Sequence, residues 1–261
     1  MSDYTKTQKM IEAYWSDAAA SFSEFIQEDL RPERRQLWRN KILANAPQKE
    51  RLDILDVGTG PGFFAIILSE VGHNVTAIDC SPDMLNEARK NATLAGVDIT
   101  FMEMECHELT FADNSFDLIV SRNLTWTLYE PLKAYREWLR VLRPDGRFIV
   151  FDANYGMYCY DEELAWKKAI NEDFYEKHYG PLPSKKRSYE NDEYFKQMYL
   201  SDKLRPEWDK KALESLGVTA LIEKDVSREM LTKPRRLLNS TSPMFMVVAI
   251  KQDRGICRDL I

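Results

Sequence analysis

The chain has 261 residues, 44% hydrophobic and 30% charged, with 36 Lys and Arg against 42 Asp and Glu for a net charge of −6. That is the composition of a globular protein large enough to bury a sizeable core, and the acidic balance argues against a phosphate-rich partner. No apolar run reaches the ~18 residues a membrane span needs, and Met1-Ser-Asp-Tyr-Thr-Lys lacks the apolar stretch of a signal peptide, so a cytoplasmic protein without membrane or nucleic-acid partners is expected.

Residues 5 to 47 read as two helices. Ile11, Tyr14 and Trp15 recur at helical spacing, Ala18-Ala-Ala-Ser-Phe22 continues the first helix, and the second runs around Arg35 to Leu43. We take residues 1–48 as a helical cap.

The most informative stretch follows. A short apolar strand (Ile54, Leu55, Val57) runs into Gly58, Gly60 and Gly62 and then into an apolar helix, Phe63-Phe64-Ala65-Ile66-Ile67-Leu68. Glycines at a strand-to-helix turn allow positive φ and a close backbone approach to a ligand. A dinucleotide fingerprint places its third glycine three residues after the second, whereas here the interval is two and position 63 is Phe. Asp56, two residues before the first glycine, also discriminates. At an effective dielectric of about 20, a carboxylate ~5 Å from a phosphate costs roughly 3 kcal/mol, while a cationic ligand gains. The pattern reads as a nucleoside site for a positively charged ligand without a pyrophosphate. S-adenosylmethionine (SAM), with its sulfonium and ammonium, fits.

Asn74-Val-Thr-Ala-Ile-Asp79 is a second buried strand, ending in an acid 17 residues after Gly62 and suited to both hydroxyls of a ribose. Ser81-Pro82-Asp83 starts a helix as N-cap, first helical residue and complement to the positive helix end. Met84 falls in its first turn, where a thioether can pack on an adenine face. A third strand near Ile99 to Glu103 leads to Glu105, whose carboxylate can accept from the adenine amino group, and to Cys106, whose backbone can read a ring nitrogen. A fourth strand ends at Ser121-Arg122-Asn123, and a fifth, Phe148-Ile-Val-Phe151, follows the turn Asp145-Gly146. The alternation implies a parallel sheet with right-handed crossovers.

These segments resemble the class I SAM-dependent methyltransferases of the small-molecule "methyltransferase domain" type. Leu55-Asp-Val-Gly-Thr-Gly-Pro-Gly62, Ala77-Ile-Asp-Cys-Ser-Pro-Asp-Met84, Phe111-Ala-Asp-Asn-Ser-Phe-Asp117 and Val141-Leu-Arg-Pro-Asp-Gly-Arg147 occur in the family's order, over residues 10 to 152. The resemblance implies an α/β Rossmann-like sheet of about seven strands, mostly parallel with the last antiparallel, and SAM as cofactor. It implies that Asp56, Gly58, Thr59 and Gly60 cradle the methionine part, that Asp79 and Cys80 meet the ribose side, and that Met84, Glu105 and Cys106 meet the adenine. Asn123 at the fourth strand end joins this set, and an aromatic of the N-terminal cap, Tyr14 or Phe22, closes the pocket or simply packs the helix. One departure is local: Met104-Glu105-Cys106 stands where the family usually has Gly-Asp-Ala.

Beyond the fifth strand the alternation breaks. Residues 155 to 199 hold eight of the twelve tyrosines, which suits a half-wet binding wall or cation–π contacts. We read 49–155 as the SAM-binding core, 156–206 as a helical lid that chooses the substrate, and 207–261 as the completion of the sheet. That last part holds a helix near Trp208 to Leu216 and strands near Val218 to Asp225 and at Met244 to Ile250. Trp126, Asp152, Asn154 and Tyr155, beside the crevice where open α/β sheets bind ligands, are the substrate-contact candidates.

The basic runs Lys185-Lys-Arg187 and Arg235-Arg236 read as solvated faces. Cys80, Cys106, Cys159 and Cys257 show no metal-ligand spacing and no His partner, so no metal is expected. No residue is an obvious base: His107 lies on the adenine side, His178 in the insertion, and His73 in a turn. SAM needs mainly in-line alignment and exclusion of water. The expectation is methyl transfer to a small molecule by a monomer or homodimer. A protein or RNA acceptor, and a regulatory SAM binder without turnover, remain the alternatives.

Overall fold

The computed structural model describes residues 3–182 and 192–252. Lys185 to Arg187, Tyr189 and Cys257 therefore lie outside the described residues.

The sheet has seven strands in the order β3-β2-β1-β4-β5-β7-β6. They are β1 (Asp53–Val57), β2 (Asn74–Asp79), β3 (Thr100–Glu103), β4 (Phe116–Arg122), β5 (Leu142–Asp152), β6 (Thr219–Glu223) and β7 (Phe245–Ile250). Strand β7 runs antiparallel to β5 and β6, and the other pairings are parallel. This is the mostly parallel, Rossmann-like arrangement of seven strands expected from the sequence.

Period-two alternation divides the core between the two faces. Ile54, Leu118, Val120, Ile149, Phe151, Met246 and Val248 face one layer with Trp38, Ile42 and Phe64. Leu55, Val57, Ile119, Phe148, Val150, Val247 and Ala249 face the other with Tyr135, Trp138 and Leu213. The first layer draws on α2 (Pro32–Asn45), α3 (Phe63–Ser69) and α4 (Pro82–Ala95); the second on α5 (Pro131–Val141) and α8 (Glu207–Ser215). Burial on both faces is why the central strands read as nearly continuous apolar runs.

Helix α1 (Asp3–Ile26) packs along α4. Ser16 Oγ meets Ser81 Oγ at 2.9 Å, and the Asn91 amide of α4 donates to Ser23 Oγ at 3.1 Å and to the Pro61 carbonyl at 3.0 Å. One buried asparagine therefore fastens the cap to the glycine loop. The insertion contains a short 3₁₀ turn (Met157–Tyr160), α6 (Glu162–Tyr179) and α7 (Asp192–Lys196).

Two readings need correction. Asp145-Gly146 is not the entry to the fifth strand. Helix α5 passes directly into β5 at Leu142, and residues 143–146 loop out between the pairs Phe116–Leu142 and Leu118–Arg147, with Asp145 at φ +60°. Arg235 is not on a solvated face. Two short helices, α9 (Ser227–Met230) and α10 (Lys233–Leu238), lie between β6 and β7, and α10 buries Arg235 against Asp29.

Candidate functional site

The chain reverses its direction of sheet growth between β1 and β4, and the crevice beyond the carboxyl ends of those strands is where open α/β sheets take ligands. The glycine turn opens this crevice. Gly58 and Gly60 hold φ of +66° and +53°, and a Cβ at Gly58 would meet the Leu124 side chain at 2.8 Å. Gly62, at φ +91°, lets α4 pack close: a Cβ there would lie 3.2 Å from Ala88 Cβ. The Thr59 amide donates to the Ile78 carbonyl at 2.9 Å and the Gly60 amide to Asp79 Oδ2 at 2.8 Å. The second-strand acid thus braces the glycine loop as well as facing the crevice.

Both carboxylates are buried. Burial pushes the Asp79 carboxyl up to about 6, against the hydrogen bonds from Ser81, Gly60 and Cys80. Burial likewise raises Asp56 to about 7, opposed by the Thr59 hydroxyl at 2.7 Å and the Ala65 amide at 3.1 Å. A desolvated carboxylate gains from new donors or from a nearby cation.

Two chambers adjoin at Gly58. The first is lined by Asp79, Cys80, Met104, Glu105, Cys106 and His107 from the sheet side, with Gln8 and Ile11 of α1 opposite. The second is lined by Asp56, Thr59, Gly60, Arg122 and Asn123, with Phe22 and Ile26 of α1 opposite. Near Gly60 the walls are Phe22 and Met84, which would lie 3.7 and 3.9 Å from a Cβ built there. Gln8 and Ile26 went unnamed in the sequence reading, and Ile11 and Arg122 were named there only as helix spacing and strand end. For Arg122 a signal existed: a cation closing a strand of buried apolar residues.

Other predicted residues take different places. Tyr14 stacks on Tyr194 of α7, with ring centroids 4.1 Å apart, so Phe22 rather than Tyr14 faces the glycine loop. The Glu105 carboxylate turns back to accept from the His107 amide at 2.8 Å and contacts the His107 ring. Asn123, at φ +57°, accepts from the Tyr155 hydroxyl at 2.8 Å and from the Trp126 indole, through its backbone carbonyl, at 3.0 Å. These bonds join the ends of β4 and β5.

Asp152 and Asn154, expected to meet substrate, both have partners in the segment that returns from the insertion. Asp152 is fully buried and accepts from the Trp126 and Ala153 amides at 2.8 Å, from the Thr125 hydroxyl, and from Arg205 at 3.2 Å. Arg205 also forks onto Asp209 at 2.8 and 3.0 Å, and Tyr135 donates to Asp209 at 2.5 Å. Burial disfavours the Arg205 charge, but Asp209 and Asp152 outweigh it and raise its pKa. Asn154 pairs with both backbone polar groups of Arg205, at 2.8 and 3.2 Å. These residues clamp the returning insertion to the sheet. The clamp partners, Arg205 and Asp209, had no local sequence signal.

The cysteine reading is also corrected. Cys106 Sγ lies 3.7 Å from His107 Nδ1, a neighbour the spacing rules overlooked because the two are adjacent in sequence. Burial, reinforced by Asp79, pushes the Cys80 thiol up to about 12; burial and Glu105 raise Cys106. No described helix is long and apolar enough to cross a membrane.

The donor set tests the implied cofactor. A buried acceptor-only carboxylate at the β2 end suits a diol, the glycine turn presents bare backbone, and the buried acids suit a cation; the residues fit a sulfonium nucleoside. Residues 55–150 match the family described as the methyltransferase domain. Among similar proteins is a ubiquinone/menaquinone biosynthesis C-methyltransferase of Bdellovibrio bacteriovorus, 32% identical over 154 residues, 58% of this chain and 65% of that protein. A demethylmenaquinone methyltransferase of Thermus thermophilus is 34% identical over 117 residues, 44% of this chain and 53% of that protein. The chain thus spans between half and two thirds of the length of these relatives. A SAM-dependent methyltransferase from Aquifex aeolicus shares the fold, with TM-score 0.55 at 24% identity over 88% of this chain and 98% of that one.

Over residues 55–150 the chain resembles the class I SAM-dependent methyltransferases, and it shares their fold.

Proposed function

We propose that this protein transfers a methyl group from SAM to a small-molecule acceptor. The observation that carries the reading is the pair of chambers meeting at Gly58 beneath α1, flanked by Asp79 on one side and Asp56 on the other. When bound, SAM supplies a methyl group already activated on sulfur. The chain's own tasks are then to hold the ribose through Asp79, to lay bare backbone at Gly58 and Gly60 along the methionine part, and to keep water out with Phe22, Ile26 and Leu124. His107 supplies no free base: it is buried, with Nδ1 against Glu105 and Nε2 accepting from the Glu130 amide at 3.4 Å.

We read α1 together with residues 156–206 as the cover that chooses the acceptor. Trp126, Tyr155, Tyr194 and Phe195 cluster there: Trp126 stacks on Phe195 at 5.0 Å and meets Tyr155 edge-on at 5.6 Å. A wall of rings favours a flat, compact acceptor over a polymer. A demethylated quinol is the first acceptor to try, because the two relatives above carry quinone methyltransferase names. The acidic composition fits a cytoplasmic enzyme with no nucleic-acid substrate.

The test is formation of S-adenosylhomocysteine from SAM with a metabolite extract, and separately with the quinol. Turnover should survive treatment of the extract with protease or nuclease. Turnover lost on either treatment would assign a macromolecular acceptor, and tight SAM binding with no turnover on any extract would assign a regulatory binder.

A further inference from the structure

The adenine-side chamber carries chemistry that methyl transfer does not use. Glu105, Cys106 and His107 are consecutive, yet the turn after β3 folds one ligand atom of each to within 4.8 Å of the others. Cys106 Sγ lies 3.6 Å from Glu105 Oε1 and 3.7 Å from His107 Nδ1. For a tetrahedral ion with sulfur at about 2.3 Å and nitrogen or oxygen at about 2.1 Å, the sulfur-to-nitrogen and sulfur-to-oxygen edges are both about 3.6 Å. Two edges of such a site already have metal-site length. The third, between Glu105 and His107, is held shorter by their hydrogen bond. It needs to open to about 3.4 Å, a torsional movement of the half-buried Glu105 side chain.

The His107 ring is already oriented toward the site. It stacks on Tyr129 with centroids 4.0 Å apart, and Nε2 accepts from the Glu130 amide, so Nδ1 is the nitrogen that faces Glu105 and Cys106. The surroundings favour a cation. Cys80 lines the same chamber, and the carboxylates of Asp79, Glu12 and Glu105 act on its thiol.

We propose that Glu105, Cys106 and His107 bind a thiophilic divalent cation such as Zn²⁺ in the adenine-side chamber, and that metal and cofactor exclude one another there. The exclusion rests on the reading of this chamber as the adenine site. One proton leaves for solvent when the ion enters, from the Cys106 thiol; the His107 proton shifts from Nδ1 to Nε2, which frees the Nδ1 lone pair and ends the contact with the Glu130 amide. Water completes four-coordination.

The experiment uses the full chain with Co²⁺ as a spectroscopic stand-in and S-adenosylhomocysteine as competitor. A thiolate-to-cobalt charge-transfer band should appear, disappear on saturation with S-adenosylhomocysteine, and be lost in Cys106→Ser. Saturating Zn²⁺ should raise the wild-type Kd for S-adenosylhomocysteine at least tenfold over that in chelator, and this ratio should fall to near one in Cys106→Ser and in His107→Gln. Each variant is compared with itself, so affinity lost through the substitution alone cancels. If a variant fails to fold, the wild-type competition decides. Absence of the band overturns the site; so does a band that persists in Cys106→Ser, which would assign the ion to another thiol. A band unaffected by saturating S-adenosylhomocysteine overturns the exclusion. Should S-adenosylhomocysteine fail to bind even in chelator, the function reading falls, while the band and its loss in the variants still decide for the metal site.

Discussion

Asp29 and Arg235 stand 206 residues apart in sequence and meet at 2.6 Å, with Arg122 at 2.9 Å and Arg34 at 3.2 Å on the same carboxylate. This fully buried acid therefore joins the α1–α2 turn, the end of β4 and α10. The arginines also lie on aromatic faces: Arg235 is 3.6 Å from the Phe25 ring centroid and Arg122 is 4.2 Å from that of Trp38. Burial alone would raise the Asp29 carboxyl, but the Arg122 and Arg235 charges more than offset it and hold it at about 2.

Asp29→Asn should consequently cost about 3–5 kcal/mol of stability at neutral pH, because it leaves guanidinium charge buried without its counterion. The pH dependence follows from the lowered carboxyl. Its stabilisation, of the order of 2 kcal/mol, is present above the unfolded value of about 4 and is lost as pH falls toward 2. Urea unfolding of both proteins between pH 3 and 7 checks this. A difference that stayed constant across that range would show that the carboxylate charge is not what holds the cluster.

Asp79 behaves in the opposite sense. Its folded value of about 6 lies above the unfolded value of about 4, so the native state without ligand keeps this proton longer and loses stability as pH rises through that window. A ribose diol donating to the ionised carboxylate reverses the preference. Affinity for S-adenosylhomocysteine should thus rise between about pH 5 and 7 with release of a proton, and Asp79→Asn should flatten the rise while weakening binding by about 1.5–3 kcal/mol. Calorimetry in buffers of different ionisation enthalpy measures both. A wild-type affinity independent of pH would remove Asp79 from the ribose.

Arg205 separates a structural role for Asp152 from a substrate role. Arg205→Met should cost about 3–5 kcal/mol by leaving Asp152 and Asp209 buried and unpaired. Asp152→Asn should be destabilising too, yet turnover per folded molecule should persist. If Asp152→Asn instead melted like the wild type and abolished turnover, Asp152 would be returned to the substrate-contact set.

What was legible in the chain divides along the range of the interactions. The glycine turn, Asp79, the Ser81 cap and the alternation of strands are encoded within about twenty residues each, by periodicity, capping and φ requirements. The Ser81 side chain does accept from the Met84 amide at 3.2 Å, as capping chemistry demands. Asp29 with Arg235, and Asp152 with Arg205, 53 residues apart, have no local signature. A buried arginine and a solvated one look alike until the partner carboxylate is found. Position alone therefore suggested Asp152 and Asn154 as ligands of a substrate, whereas both are consumed by the segment that returns from the insertion. Glu105 differs: it lines the chamber that holds Asp79, as its position after β3 suggested, but its carboxylate is engaged by the His107 amide and ring, next to it in sequence.

The final prediction concerns the hold of the cap. Tyr14 and Tyr194 lie 4.1 Å apart with planes 11° from parallel, so the stack ties α1 to α7 across the aromatic cluster. A ring pair of this kind contributes about 0.5–1.5 kcal/mol beyond its buried area. If α1 must lift for the cofactor to leave, Tyr14→Ala should speed dissociation of S-adenosylhomocysteine roughly two- to twelvefold, the kinetic equivalent of that energy. Tyr194→Ala should do the same, and the double variant should be no faster than either alone, since both remove one contact. Stopped-flow dissociation together with hydrogen exchange along α1 makes the measurement. Unchanged dissociation and unchanged α1 protection in both variants would place the anchor of the cap at the Asn91 amide instead, where Ser23 and the Pro61 carbonyl meet.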